Sequence, residues 1–228
     1  MSERNSNAVA ILGGTGDQGL GLALRFAKAN RPVVIGSRKA ERALEAADEV
    51  RAAVPGCEVS GFANEDACQK ADIVILSVPF EYFASTVKGI KEQLSPGQIV
   101  VSMGVPLAAA IGDGAMRTLG IWQGSCAELV ASLVPKGVEV VSAFQNVSSQ
   151  RLRDLDHEVE CDVVVSGAKG PRERVMELCP LVPGLRAIDG GPLSNARIVE
   201  DLTALLIGLN IRYKLHEGFG IRFTGLPE

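Results

Sequence analysis

Short apolar runs of strand length alternate along this chain with segments of helical spacing. Runs at 9–12, 33–35, 72–79, 98–102, 138–142, 161–166 and 185–188, with a weaker one at 58–61, read as strands. Between them, Leu20, Leu22, Leu24 and Phe26, and then 40–53, 64–70, 80–94, 124–133 and 171–181, carry helical patterns. Pro55-Gly56 and Pro96-Gly97 punctuate the alternation, and 102–114, rich in Gly, Ala and Pro, reads as a loop at the carboxyl edge of the sheet. Strands this uniformly apolar are buried on both faces, so the pattern predicts an α/β fold: a doubly wound, mostly parallel Rossmann-type sheet over 1–190. Residues 192–215 form a long helical pattern that is apolar on more than one face. This predicts a small C-terminal helical region, 191–228, that packs on the sheet and against another body such as a second subunit.

The first βαβ unit carries the chemistry. Gly14, Gly16 and Gly19 fill the G-x-G-x-x-G positions after an apolar run and before an amphipathic segment, a context that makes the motif specific for a dinucleotide. The first glycine is expected to permit the tight turn, the second to let backbone approach a pyrophosphate, and the third to let helix and strand pack closely. Thr15, Asp17 and Gln18 complete the loop. An NAD site places a carboxylate about 20 residues on, against the ribose hydroxyls. Here the second strand runs instead into Gly36-Ser37-Arg38-Lys39, and Arg38 can pair bidentately with a 2′-phosphate. The expected cofactor is NADP(H), with Ser37, Arg38 and Lys39 on the phosphate. The plainer reading, that Arg38 and Lys39 merely open the next helix, sits badly with the macrodipole, which disfavours cations at a helix start.

Further along, Val78-Pro79-Phe80 ends a strand where the nicotinamide half should descend; Phe80 either presses on the cofactor or staples the following helix. Gln145, Asn146 and Val147 follow another strand end, where their amides can orient a polar heterocycle or simply satisfy a turn. His157 and His216 lack the setting of a catalytic base and read as solvated. The five cysteines are scattered, with no Cys-x-x-Cys pair, and read as small buried or half-buried side chains without zinc or disulfide roles. No nucleophile elbow, metal cluster or carboxylate pair is recognisable, so no catalytic residue is assigned and the chemistry is expected from cofactors. A net charge of −4 argues against nucleic acid or an anionic membrane surface as partner. Apolar runs are too short to span a bilayer and 1–7 is polar, so a cytoplasmic protein is expected.

The chain resembles the NADPH-dependent coenzyme F420 reductases, also called F420:NADP oxidoreductases. The resemblance rests on Leu12-Gly-Gly-Thr-Gly16, Gly19-x-Gly21-Leu-Ala-Leu-Arg25, Ile35-Gly-Ser-Arg38, Asn64-Glu-Asp-Ala67, Val78-Pro-Phe-Glu81, Val141-Ser-Ala143, and most specifically Gly191-Pro-Leu-Ser-Asn-Ala-Arg-Ile-Val-Glu200 with Leu202-Thr203. It extends over about 8–223. It implies direct hydride transfer between nicotinamide C4 and C5 of a 5-deazaflavin, coenzyme F420, with Thr15, Ser37 and Arg38 on NADP, the Pro79-Phe80 turn beside the nicotinamide, and a homodimer formed through the C-terminal helices. One pair of residues departs from the family pattern. Gln145-Asn146 stand where the family commonly shows histidine and threonine, the histidine belonging to the deazaflavin pocket. Two other readings follow: an NADPH-dependent reductase of another flavin- or pterin-like ring or of a small carbonyl or imine, and a non-catalytic NADP(H)-binding sensor.

Overall fold

The computed structural model describes residues 4–226; residues 1–3 and 227–228, which the two sequence-defined regions include, lie outside it. In chain order the elements are β1 (Asn5–Leu12), α1 (Asp17–Lys28), β2 (Val33–Ser37), α2 (Ala40–Ala53), β3 (Val59–Ala63), α3 (Asn64–Ala67), β4 (Ala71–Leu76), α4 (Phe80–Ile90), β5 (Ile99–Ser102), α5 (Cys126–Leu133), β6 (Glu139–Ser142), α6 (Ser149–Arg153), β7 (Cys161–Gly167), α7 (Lys169–Met176), β8 (Leu185–Asp189) and α8 (Ala196–Tyr213). The sheet order is β3-β2-β1-β4-β5-β6-β7-β8. β1 pairs in parallel with both β2 and β4, Ile11 facing Ile35 on one side and Ile75 on the other. The chain therefore winds outward in one direction from β1 to β3 and in the other from β4 onward, which opens a crevice above the β1/β4 boundary.

Both faces of the central strands are buried. Val9, Ile11, Ile73 and Ile75 pack with α1 and α2, while Ala10, Leu12, Val74 and Leu76 pack with α4 and α5. This explains why the strands read as continuous apolar runs. α1 is buried from Gly19 to Ala27, because α6 covers the side that the sheet and α2 leave free. Its buried Arg25 spends its guanidinium on the carbonyls of Arg151, Leu152, Asp154 and His157, the unpaired end of α6 and the turn after it.

Two features depart from simple alternation. β7 runs antiparallel to β6, and only Val141↔Gly167 and Ser142↔Ser166 are paired. A parallel return needs a crossover of sheet length, and α6, at five residues, is too short to provide it. Because the pairing joins the ends of both strands, residues 161–165 of β7 project past the carboxyl edge of β6, and β8 pairs along that projection from Cys161↔Leu185 to Val165↔Asp189. The expected helix 171–181 begins two residues earlier, at Lys169, and stops at Met176.

The overhang anchors the last residues of the chain. The fully buried Asp162 carboxylate receives Arg186 at 2.7 and 2.9 Å, Arg222 at 2.9 Å and the Phe223 amide at 2.6 Å. Burial alone would raise its pKa, but these donors win and hold it below the usual carboxylate range. α8 is tied from its other side: the Glu200 carboxylate accepts from the Cys126 and Ala127 amides at 2.8 and 3.2 Å, capping α5.

Glu200 is 2% exposed, and burial raises its carboxyl from 4.5 to about 7 despite those two amides. Its folded-state pKa therefore lies above the unfolded one. Stability is full while both states hold the proton, and falls as pH climbs from about 4.5 toward 7, where only the unfolded state has released it. Glu200→Gln should remove that slope. In urea unfolding at pH 5 and pH 8, the wild type should lose about 2 kcal/mol more than the variant over the interval; equal losses would show that Glu200 ionises normally.

Candidate active site

The crevice is floored by the turn between β1 and α1. The left-handed residue there is Gly13, at φ +77°, one position before the motif's first glycine. Any Cβ on it would collide with the Ser77 carbonyl at 2.4 Å. The Gly13 and Gly14 amides both donate to the Gly36 carbonyl, at 3.0 and 3.2 Å, which seats the turn on the end of β2. Sequence reasoning assigned the turn to Gly14; its own restriction is space, a Cβ lying 2.9 Å from the Ile11 carbonyl and 3.0 Å from an Ile35 methyl. Gly19 is closed by Gly13 and Gly14 at 2.8 Å, as expected where helix meets strand. Gly16 differs: a Cβ there would touch only the Gly13 carbonyl, at 3.5 Å, so its exposed face is open to a ligand at the amino end of α1.

Two cavities meet over this floor. The first, about 530 Å³, is lined by Gly13, Thr15, Gly16, Ser37, Arg38 and Lys39, together with Arg42, Asn64, Tyr82 and Thr86. Three cations thus stand at the end of β2, and the Arg38 guanidinium lies 4.8 Å from the centre of the Tyr82 ring, a stacked arrangement that holds its fork at the cavity. Arg42, Tyr82 and Thr86 were missed from sequence because they lie within the first two turns of α2 and α4, and only the fold brings those turns to the crevice. Asn64 was read only as part of a motif; its buried Oδ1 has no partner.

The second cavity, also about 530 Å³, shares Gly16, Ser77, Val78 and Pro79 with the first and is bounded by Asp17, Gln18, Phe80, Glu81, the 103–110 loop, Gln145, Thr203 and Ile207. Phe80 packs on the α4-side core and also lines this cleft. The Asp17 carboxylate, at the first turn of α1, is drawn off to Arg153 at 3.1 Å. The Gln18 amide donates to the Phe144 and Val147 carbonyls at 3.1 and 3.2 Å, tying the glycine loop to the turn after β6. In that turn Phe144 is buried in the left-handed region, φ 67°, edge-on to Phe26.

Of the three residues assigned to the second ligand, only Gln145 lines the cleft; Asn146 and Val147 line an adjoining chamber. Gln145 donates to Ser142 Oγ at 2.6 Å and its backbone carbonyl accepts from Thr203 at 3.3 Å. His157 is exposed and bonded to Asp154. His216, read as merely solvated, borders the adjoining chamber. Cys68, Cys126, Cys161 and Cys179 are buried, burial raising their thiols, Cys68 and Cys179 to about 12.

A doubly wound sheet with this glycine turn defines a dinucleotide-binding protein of the Rossmann class. A family profile described as "NADP oxidoreductase coenzyme F420-dependent" matches residues 8–106. The chain is 51% identical to the F420-dependent NADP reductase of Methanocaldococcus jannaschii, over 96% of this chain and 98% of that protein, and 43% identical to the one from Methanothermobacter thermautotrophicus, over 96% of each. It belongs to the F420-dependent NADP reductase family. A solved structure from Arthrobacter sp. FB24, assigned provisionally to the same activity, superposes with a TM-score of 0.76 at 21% identity, covering 96% of this chain and all of that one, and so shares its fold.

Arg38→Ala should weaken NADP(H) more than NAD(H). The exposed guanidinium is worth about 1.5–3 kcal/mol against a phosphate, a roughly 10- to 150-fold rise in KM for NADPH, with NADH nearly unaffected. Equal losses for the two cofactors in steady-state assays would make Arg38 a structural residue.

Proposed function

We infer that this protein is an oxidoreductase that transfers hydride between NADP(H) and the 5-deazaflavin coenzyme F420. The observation that carries the reading is the continuity of the two cavities: a cationic pocket at the end of β2 opens across Gly16 and Ser77–Pro79 into a broad, largely apolar cleft. The residues suit the cofactor. The open face of Gly16 at the start of α1 accommodates the pyrophosphate, Thr15, Ser37, Arg38 and Lys39 surround the 2′-phosphate with Arg42, and Val78, Pro79 and Phe80 take the nicotinamide. When bound, the coenzymes would supply the chemistry, hydride transfer from nicotinamide C4 to deazaflavin C5 with uptake of one solvent proton.

Orientation is the protein's share of the work. Phe80, Met103, Val105, Leu107 and Ile207 wall the cleft and would exclude water from the reacting rings, and Gln145 would offer its amide to a polar ring edge. Asp17 is paired with Arg153, which keeps its charge from opposing a pyrophosphate. Among the described residues no helix is long and apolar enough to cross a membrane. We place the protein with its soluble coenzymes, in the cytoplasm.

The same reading makes it a homodimer through 191–228. Ile198, Leu202, Leu205 and Leu209 form one stripe along α8, at i, i+4, i+7 and i+11, and Ile198 and Leu205 are 63% and 56% exposed. A second copy of the chain covers this stripe.

Anaerobic mixing of the protein with NADPH and oxidised coenzyme F420 tests the activity: the visible absorbance of the oxidised ring should bleach over many turnovers. NADPH binding without bleaching would overturn the acceptor and direct attention to another flat heterocycle, carbonyl or imine. The assembly is tested by sedimentation: the wild type should run as a dimer and the Ile198→Glu/Leu205→Glu variant as a monomer, whereas a monomeric wild type at tens of micromolar would refute it.

A further inference from the structure

Hydride transfer leaves the buried Glu200 carboxylate without a part. It lies outside both cavities of the crevice, is 2% exposed, and among the described residues no cation pairs with it. Taking an unpaired charge out of water costs stability, so capping a helix is a poor reason for an acid at this position. Its geometry gives a better one. A carboxylate accepts from two neighbouring amides at once, one oxygen to each, where a glutamine offers a single acceptor. Here the two amides belong to Cys126 and Ala127 of α5, and the carboxylate comes from α8, 74 and 73 residues further along the chain.

Both walls of the cleft converge on this contact. On α8, Glu200, Thr203 and Ile207 stand at i, i+3 and i+7 and so share one face. Thr203 and Ile207 line the cleft, and the Thr203 hydroxyl lies 3.3 Å from the Gln145 carbonyl. On the other side, the loop after β5 lines the cleft between Met103 and Ala110 and runs on into α5, whose first turn takes the Glu200 carboxylate.

Between those two points the loop folds into a short ribbon, the Ala108 amide donating to the Arg117 carbonyl at 2.8 Å and the Leu119 amide to that of Pro106 at 2.6 Å. The ribbon rests on α8 through Met116, which lies against Gly208, and through Thr118, whose hydroxyl donates to Asp201 at 2.6 Å. The Thr118 bond is exposed and competes with water, whereas the Glu200 bonds are buried. The shielded tie between loop and helix is therefore Glu200.

We propose that Glu200 is a positioning residue for hydride transfer: by holding the start of α5 to α8 it fixes the spacing of the two cleft walls, and with it the approach of the reacting rings. The proposal rests on the hydride-transfer reading above. The cationic pocket at the end of β2 draws no residue from α5 or α8, so the effect is confined to the acceptor's side of the crevice.

Two variants break the contact from opposite ends. Glu200→Ala removes the acceptor. Cys126→Pro removes the donor of the shorter bond, at the first position of α5 and after an extended Ser125, where proline fits a helix start. With NADPH and oxidised coenzyme F420, each should lower kcat about 10- to 100-fold, counted per NADPH site titrated by its fluorescence. The Kd for NADPH should stay within about twofold of the wild type. Glu200→Gln, with one acceptor left, should recover part of the loss. In hydrogen exchange, amides of 103–110 and 203–207 should exchange faster in Glu200→Ala and Cys126→Pro, and those of 33–42 at the wild-type rate. Unchanged exchange in the cleft walls, unchanged turnover per site, or a rise in the NADPH Kd that matches the fall in turnover would overturn the role. A wild type that binds NADPH and leaves coenzyme F420 oxidised would overturn the acceptor instead, and the exchange pattern would still decide whether Glu200 sets the walls.

Discussion

The architecture depends on how closely α1 approaches what surrounds it, and that closeness depends on missing Cβ atoms. Gly13 and Gly19 let the turn and the first turn of α1 lie against the end of β4, and Gly21 lets α6 press on the other side, where a Cβ would come 2.6 Å from that of Leu152. Were α1 displaced by the width of a methyl group, its amino end would no longer point into the crevice and the Gly36 carbonyl would lose its two amide donors. Arg25 secures the same contact electrostatically. Burial lowers its pKa, and four carbonyl oxygens replace the water it gives up.

The second half of the site follows from an interrupted sheet. Because β7 meets β6 only at its last residues, the strand pair β7–β8 stands beyond the carboxyl edge and supports the turn after β6 from outside. Asn146 reaches across to that overhang, Gln18 holds the same turn from the side of α1, and Thr203 holds it from α8. Three independent bodies thus fix a segment of irregular backbone, including a left-handed Phe144, whose strain is sustained only because its ring is buried against Phe26.

The parts of the molecule that a sequence makes legible are those where one residue type has one physical use. The continuous apolar strands, the Gly16 and Gly19 spacing and the Ser37-Arg38 exit from β2 all follow from burial, close approach and charge, and each stands where the pattern put it. α2 matches its expected span from Ala40 to Ala53. The misses have equally physical causes. α6 has five residues, too few for a period to show, and owes its existence to Arg25 and Leu152 packing rather than to its own propensity. The antiparallel turn of β7 leaves no local trace, because an isolated apolar run reads alike in either direction. Arg42, Tyr82, Thr86 and Ile207 reach the site by tertiary return alone, and in the sequence they are unremarkable positions of helices; Thr203 was legible only as part of a motif, not as a residue of the site.

Among the described residues no histidine lines the two cavities of the crevice, and Glu200, whose carboxyl burial raises, is committed to the amides of α5 rather than to the cleft. That arrangement suits a reaction whose central step moves a hydride between two carbon atoms, since neither end requires a side-chain proton and the barrier responds to distance, alignment and exclusion of water. Gln145 and Asn146 extend the same logic. A histidine in their place would change charge within the physiological range and alter the hydrogen bonds it offers to a ring edge. An amide carries no titratable proton. Held by Ser142, Asp162 and Thr203, this pair keeps one set of donors and acceptors across the physiological pH range, Gln145 at the cleft and Asn146 at the chamber beside it.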